Sequence, residues 1–237
     1  MKKIATICLM LIILLQAQAK DDWEEGNGDV ITITRQIASF DKLSVDGFFD
    51  VELFYGKERT ITIQGESNLL KFIVTEVRGN ILRIKVKNNK SIRTTKKIKI
   101  TVPFQNIEEL LLSGSGKVWT NDVIETEDFR ASVTGSGDFK LNLNVDSVDV
   151  SISGSGDIML AGTSQDITAN VTGSGEVNAK KLITENAILN IAGSGDIIVH
   201  CNNRIKAKVI GSGDVEYYGK PDKRDVTVIG SGDISSH

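Results

Sequence analysis

Gly-Ser-Gly begins at residues 114, 135, 154, 173, 193, 211 and 230, seven copies separated by 21, 19, 19, 20, 18 and 19 positions. A chain with such a period builds one small unit repeatedly, and each unit must bury its apolar row against its neighbours. With the first Gly as position zero, position −2 is Leu112, Val133, Ile152, Val171, Ile191, Val209 and Val228. Position −4 (Leu110, Ala131, Val150, Ala169, Leu189, Ala207, Val226) and position +4 (Val118, Phe139, Ile158, Val177, Ile197, Val215, Ile234) are equally apolar. Alternation within each unit predicts strands, apolar inward and polar outward. The period of about 19 residues between units matches one coil of a solenoid. The fold class expected is therefore all-β, a single-stranded parallel β-helix with roughly 19-residue coils. Each coil is expected to hold two short strands, −6 to −1 and +3 to +6. These are joined at Gly-Ser-Gly and then by a turn such as Ala161 to Ser164. A sandwich would instead repeat hairpin signals of the Asn-Gly kind.

Both glycines of each copy fall in phase with the inward positions, where a tight bend or a close approach of neighbouring backbone demands a missing Cβ. Between and after them lie two outward ladders. One is serine throughout, from Ser115 to Ser231; the other, at position +3, is acidic in six of seven copies, with Lys117 the exception. The candidate binding face comprises Ser136, Asp138, Ser155, Asp157, Ser174, Glu176, Ser194, Asp196, Ser212 and Asp214. Small polar side chains lose little entropy on ordering, which suits a broad, repeated contact with a glycan or a surface protein. A solvated wall is the plain alternative. Calcium solenoids carry G-G-x-G-x-D in nine-residue units, unlike the spacing here, and neither a metal nor a cofactor motif is assigned.

Fainter copies precede the seven. Leu43 to Leu53 aligns with Val150 to Leu160, Phe48-Phe49 standing for Ser-Gly, and Ile61 to Gly65 reads as the next coil 18 residues on. Ile81 to Val86 reads as a strand with Leu82, Ile84 and Val86 inward, since the other phase would bury Arg83 and Lys85. The polar loop Lys87 to Lys97 then replaces Gly-Ser-Gly before a strand over Ile98 to Val102. Ser67 to Phe72 is expected to be a short helix or turn over the N-terminal end.

The chain opens with Lys2 and Lys3, a 12-residue apolar stretch from Ile4 to Leu15, and Ala17-Gln18-Ala19. This is the pattern of a cleaved secretory signal, too short to span a bilayer. The boundaries expected are a signal peptide at 1–19, a flexible leader at 20–28, degenerate coils with the basic loop at 29–106, and seven repeat coils at 107–237. No later stretch is apolar enough for a membrane helix, so the mature chain is expected to be periplasmic, outer-surface or secreted. Loss of Cys8 with the signal leaves Cys201 alone, which excludes a disulfide framework and a Cys-based zinc site.

Without Lys2 and Lys3 the chain has 26 basic and 31 acidic residues, a net charge of −5. Nine of the basic residues fall between Val77 and Ile107, where there is no acid. Such asymmetry can steer a polyanion to one end of the molecule, although a solvated face explains it more simply. The acidic balance and the lack of aromatics within the basic run argue against nucleic acid. At position −1, Ser113, Thr134, Ser153 and Thr172 give way to Ala192, Ile210 and Ile229. Those exposed apolar positions, with no evident capping helix after the last coil, predict a homo-oligomer through the C-terminal coils.

The signal, the degenerate first coils and the serial V-x-G-S-G-D-[hydrophobic] units resemble the auto-transporter adhesin head GIN domain family, from about Ile37 to the C-terminus. The resemblance implies a parallel β-helix with a role in adhesion and brings no catalytic residues. The function expected is an exported, noncatalytic binding module. Two alternatives are a carbohydrate-active β-helix enzyme of the polysaccharide lyase type and a purely structural envelope protein. A lyase would gather acids and Lys or Arg in one groove, and Asp138 or Asp157 beside Lys140 are the nearest such grouping. His200 and Cys201 are adjacent on a strand, hence on opposite faces, and cannot act together.

Overall fold

A computed structural model describes residues 23–57 and 59–237. The export signal expected over 1–19, with Cys8, lies outside the described residues. In chain order the strands are β1 (Trp23–Glu25), β2 (Val30–Gln36), β3 (Lys42–Gly47), β4 (Asp50–Tyr55) and β5 (Thr60–Glu66). A single 3-10 turn, Leu70–Phe72, leads to β6 (Ile73–Arg78), β7 (Ile81–Val86), β8 (Ser91–Arg93), β9 (Lys99–Phe104) and β10 (Glu109–Gly114). Five long strands follow: β11 (Lys117–Gly135), β12 (Asp138–Gly154), β13 (Asp157–Gly173), β14 (Glu176–Gly193) and β15 (Asp196–Gly211). The last are β16 (Val215–Tyr218), β17 (Lys223–Gly230) and β18 (Ile234–Ser236).

The long strands pair parallel in sequence order, and Gly114, Gly135, Gly154, Gly173, Gly193, Gly211 and Gly230 stack into one column. The protein is therefore a parallel β-solenoid with coils of about 19 residues. Inward residues at positions −4 and −2 are no more than 2% exposed from Leu110 to Val209. Burying a Val, Leu or Ile side chain stabilises by about 1.5–3 kcal/mol, so the stacked rows are the main source of cohesion. Val226 and Val228 hold the same inward positions in β17 yet are 48% and 40% exposed, because β17 pairs only with β15.

One expectation changes in detail. Instead of two short strands and a turn, each long strand runs unbroken from the residue after one Gly-Ser-Gly to the first Gly of the next. Ala161 to Ser164 does bend, at Gly162 (φ +116°), but stays paired to both neighbouring coils. The unequal repeat lengths are absorbed by register shifts at Trp119/Val123, Met159/Ala161, Ala179/Ile183 and Thr184/Asn186, leaving the glycine column in register. Side chains complete the backbone bonding where the wall turns. Ser164 Oγ donates to Asp166 O (2.7 Å) and Thr184 Oγ1 to His200 O (2.8 Å).

The N-terminal third departs further from the expected order. β3 and β4 do form a coil, stacked directly on β10 and β11. β7, the Lys87 to Lys97 loop and β9 form another, but outside the β3–β4 coil, although they follow it in sequence. A Cβ on Gly114 would meet the carbonyl of Gly47, so the β10 corner needs its glycine where it stacks on the β3–β4 coil. At the second-glycine position of that coil stands Phe49, fully buried, because the coil beyond it has no Gly-Ser-Gly corner to crowd it.

Ile61 to Gly65 is not the next coil. β5 runs antiparallel to both β2 and β9, so alternation correctly marked Ile61 and Ile63 as buried but did not choose the partner. Leu82 and Ile84 point inward as expected, with Val86 half-buried. The stretch read as a leader is partly ordered structure: β1 pairs with β8 (Trp23↔Ser91), and Gly28 N–H donates to Glu66 Oε1 (2.8 Å). Arg35 ties β2 to the 3-10 turn through Leu70 O (2.9 Å) and Ile73 O (2.6 Å).

Candidate functional site

At each corner the first Gly takes positive φ, from +114° at Gly135 to +134° at Gly154, Gly193 and Gly230, and the second is packed against the coil before it. A Cβ on Gly137 would lie 2.6 Å from Leu112 Cδ2, and one on Gly156 would lie 2.8 Å from Val133 Cγ1. The inward side chain of one coil thus fills the space that the next coil's glycine leaves. Between the glycines the serine N–H donates to the preceding coil's first Gly carbonyl: Ser136 to Gly114, Ser155 to Gly135, Ser194 to Gly173 and Ser212 to Gly193, each 2.8 Å, and Ser174 to Gly154 at 2.9 Å. With the backbone satisfied internally, all seven serine side chains stand exposed.

The acidic ladder is exposed at Asp157, Asp196, Asp214 and Asp233 and half-buried at Asp138 and Glu176. Several of its carboxylates also serve the fold. Asp157 Oδ1 accepts from Glu176 N–H (3.2 Å), Asp196 Oδ1 from Asp214 N–H (2.9 Å), and Asp214 Oδ1 from Asp233 N–H (2.8 Å). Each such bond offsets part of the repulsion between like charges about 5 Å apart, which is about 1 kcal/mol per pair in water. The structure therefore brings Ser136, Asp138, Ser155, Asp157, Ser174, Glu176, Ser194, Asp196, Ser212 and Asp214 onto one edge of the solenoid, in register.

Register extends the ladder beyond what the repeat could show. Lys117 pairs with Asp50, which in turn pairs with Lys99. The column therefore reads Lys99, Asp50, Lys117 and then six consecutive acids. Lys97 Nζ also reaches Asp50 Oδ2 (3.0 Å), so part of the basic loop is neutralised at this corner.

A second arrangement escaped the sequence because its members lie in different coils. Lys42, Glu109, Arg130 and Asp149 line a shallow groove with Asp128 and Ser147. Their charges engage one another: Lys42–Glu109 at 3.3 Å, Arg130–Glu109 at 3.9 Å and Arg130–Asp149 at 3.7 Å. The only signal for it was the charge at position −5 of successive units. Asp138 and Asp157 form no ion pair with Lys140 among the described residues. Nor do the described residues contain a His, Cys, Asp and Glu grouping able to hold a metal ion. Cys201 is a buried free thiol, its Sγ donating to Arg204 O (3.0 Å), and burial raises its pKa. No helix of the described residues is long and apolar enough to cross a membrane.

A parallel β-solenoid with seven stacked Gly-Ser-Gly corners, six of them followed by an acid, defines a class of repetitive, rod-like surface. The chain belongs to the family described as "Putative auto-transporter adhesin, head GIN domain", whose model matches residues 39–221. Three solved structures share the fold. A "putative adhesin" from Bacteroides fragilis is 24% identical with a TM-score of 0.86, over 90% of this chain and 100% of that one. A "putative lipid binding protein" from Parabacteroides distasonis is 27% identical with a TM-score of 0.76, over 90% and 99%. A "putative adhesin" from Parabacteroides merdae is 22% identical with a TM-score of 0.72, over 91% and 99%. No curated protein matches the chain.

Proposed function

We propose that this protein is an exported, noncatalytic adhesin-like module, at the cell surface or in the envelope, that binds a glycan or surface protein along its Ser/acid edge. The observation that carries the reading is the in-register ladder of exposed serines and carboxylates whose backbone is already satisfied within the solenoid. Side chains fixed at strand spacing on a rigid wall match a ligand that is itself repetitive, and several weak contacts then add. Membership in the adhesin-named family supports the same reading.

The experiment follows retention and product formation together, with the chain from Lys20 to His237 and a panel of envelope and host polysaccharides. Retention without products is expected. Replacing Ser155, Asp157, Ser174 and Asp196 by Ala together should weaken retention by at least about ten-fold, while Ser155→Ala alone changes it less than about two-fold, as distributed binding requires. The carbohydrate-active reading draws on the Lys42, Glu109, Arg130 and Asp149 groove. A rising unsaturated-uronate product, lost in Arg130→Ala, would establish it and remove the adhesin reading.

The proposal includes association of copies through the C-terminal coils, where Ile210 and Ile229 are 44% and 55% exposed beside Val226 and Val228. Light scattering is expected to show a concentration-dependent dimer that Ile210→Ser with Ile229→Ser abolishes. A strict monomer at high concentration would remove this part of the reading.

A further inference from the structure

The end of the solenoid that lacks Gly-Ser-Gly corners carries a second surface, separate from the Ser/acid ladder. Trp23 of β1 is 49% exposed, and β1 lies beside β8, with Trp23 opposite Ser91. Arg93 lies over the indole at 5.7 Å from its centre. Next to this pair, Lys71 and Lys90 both approach the half-buried Phe72 ring, at 4.8 and 5.7 Å. Lys87 joins the group because its N–H donates to Phe72 O (2.7 Å). The carboxylates beside them are Glu24, engaged by Lys71 at 3.8 Å, and Glu25. Lys87, Lys90 and Arg93 are exposed and form no ion pair among the described residues.

We propose that this end docks on an anionic phospholipid surface, with Lys87, Lys90 and Arg93 meeting the headgroups and Trp23 seated at the interface. Cations flanking an amphipathic ring that is half exposed are what a charged bilayer surface selects. A long anionic polysaccharide is the rival occupant, and two features count against it. The cations cluster on the end of the solenoid instead of tracking along a groove. One side of each aromatic ring is already taken by a cation, which leaves less ring surface for a sugar to stack upon.

The test is sedimentation of the chain from Lys20 to His237 with phosphatidylcholine vesicles, with and without phosphatidylglycerol. Binding is expected only with the anionic lipid and should fall as salt screens it. Each cation near such a surface is worth about five-fold in partitioning. The combined variant Lys87→Gln, Lys90→Gln, Arg93→Gln should therefore bind about a hundred-fold more weakly. All three side chains are exposed, so an unchanged thermal midpoint will show that the fold is kept. In a Trp119→Phe background, Trp23 emission should shift to the blue on binding. Equal binding to neutral and anionic vesicles, undiminished binding by the triple variant, or binding to dextran sulfate but not to vesicles would each overturn the proposal. None of these outcomes bears on polysaccharide retention by the Ser/acid edge, so the two readings fail separately.

Discussion

Gly156→Val is expected to destabilise the folded chain severely. A Cβ there collides with the carbonyl oxygen of Gly137 and lies 2.8 Å from Val133 Cγ1, both in the coil before it. Neither partner can retreat: the carbonyl belongs to backbone of the stacked corner, and Val133 is fully buried. Separating the coils by even part of an ångström would also lengthen bonds such as Ser155 N–H to Gly135 O, now 2.8 Å. Overpacking costs about 1–3 kcal/mol where the core can adjust. Here, with backbone as the obstacle, about 4 kcal/mol or more is expected, a large part of the stability of an ordinary domain. Two controls separate the causes. Ser155→Ala, between the two glycines but outward, should move the urea midpoint by less than about 0.5 kcal/mol equivalent. Gly28→Ala places a side chain at φ +76° with nothing within 4 Å, so it should show only the backbone cost of about 1–2 kcal/mol. A Gly156→Val chain as stable as the parent would remove the crowded corner as the reason for the repeat.

Glu66→Ala is the second large effect. Glu66 is the only charged residue among the described ones that is fully buried, and it joins three segments that sequence keeps apart. Its carboxylate accepts from Gly28 N–H (2.8 Å), Thr95 N–H (2.8 Å), Thr95 Oγ1 (2.7 Å) and Lys96 N–H (3.2 Å). Burial by itself would raise its pKa, but these donors outweigh it and hold the value at about 2, against an ordinary 4.5. Removing the acceptor leaves several buried donors unpaired, a loss of about 3 kcal/mol or more. Glu66→Gln should rescue little, since its NH2 would face donors. Because the folded-state pKa is depressed, the group's stabilisation is complete above about pH 4.5 and is lost as pH falls towards 2. Urea midpoints measured across that range should fall for the parent and change less for Glu66→Ala. Hydrogen exchange should also show the Gly26–Gly28 and Thr95–Lys96 segments losing protection first. Parallel acid limbs in the two proteins would show that Glu66 does not link the segments.

Two kinds of information separate in this chain. Alternation at positions −4, −2 and +4, with the column of glycines, was enough to establish a parallel solenoid, its inward rows and the outward Ser/acid ladder. Those features follow from contacts between identical units, so a single period encodes strand, face and neighbour together. Even the unequal spacings mattered little, because bulges on the far wall absorb them and the corner stays in register.

Where the repeat fades, sequence kept the faces and lost the partners. Ile61 and Ile63 were recognisably buried residues, but an antiparallel partner and a parallel one impose the same alternation, and tertiary contact chose the antiparallel strands β2 and β9. The inverted stacking of the β3–β4 and β7–β9 coils, the Glu66 junction and the Lys42–Asp149 charge row share that origin. Each joins residues from separate segments whose local patterns do not refer to one another. A side chain's periodicity records whether it faces the core; only the assembled coils decide which charge, donor or ring it meets across the gap.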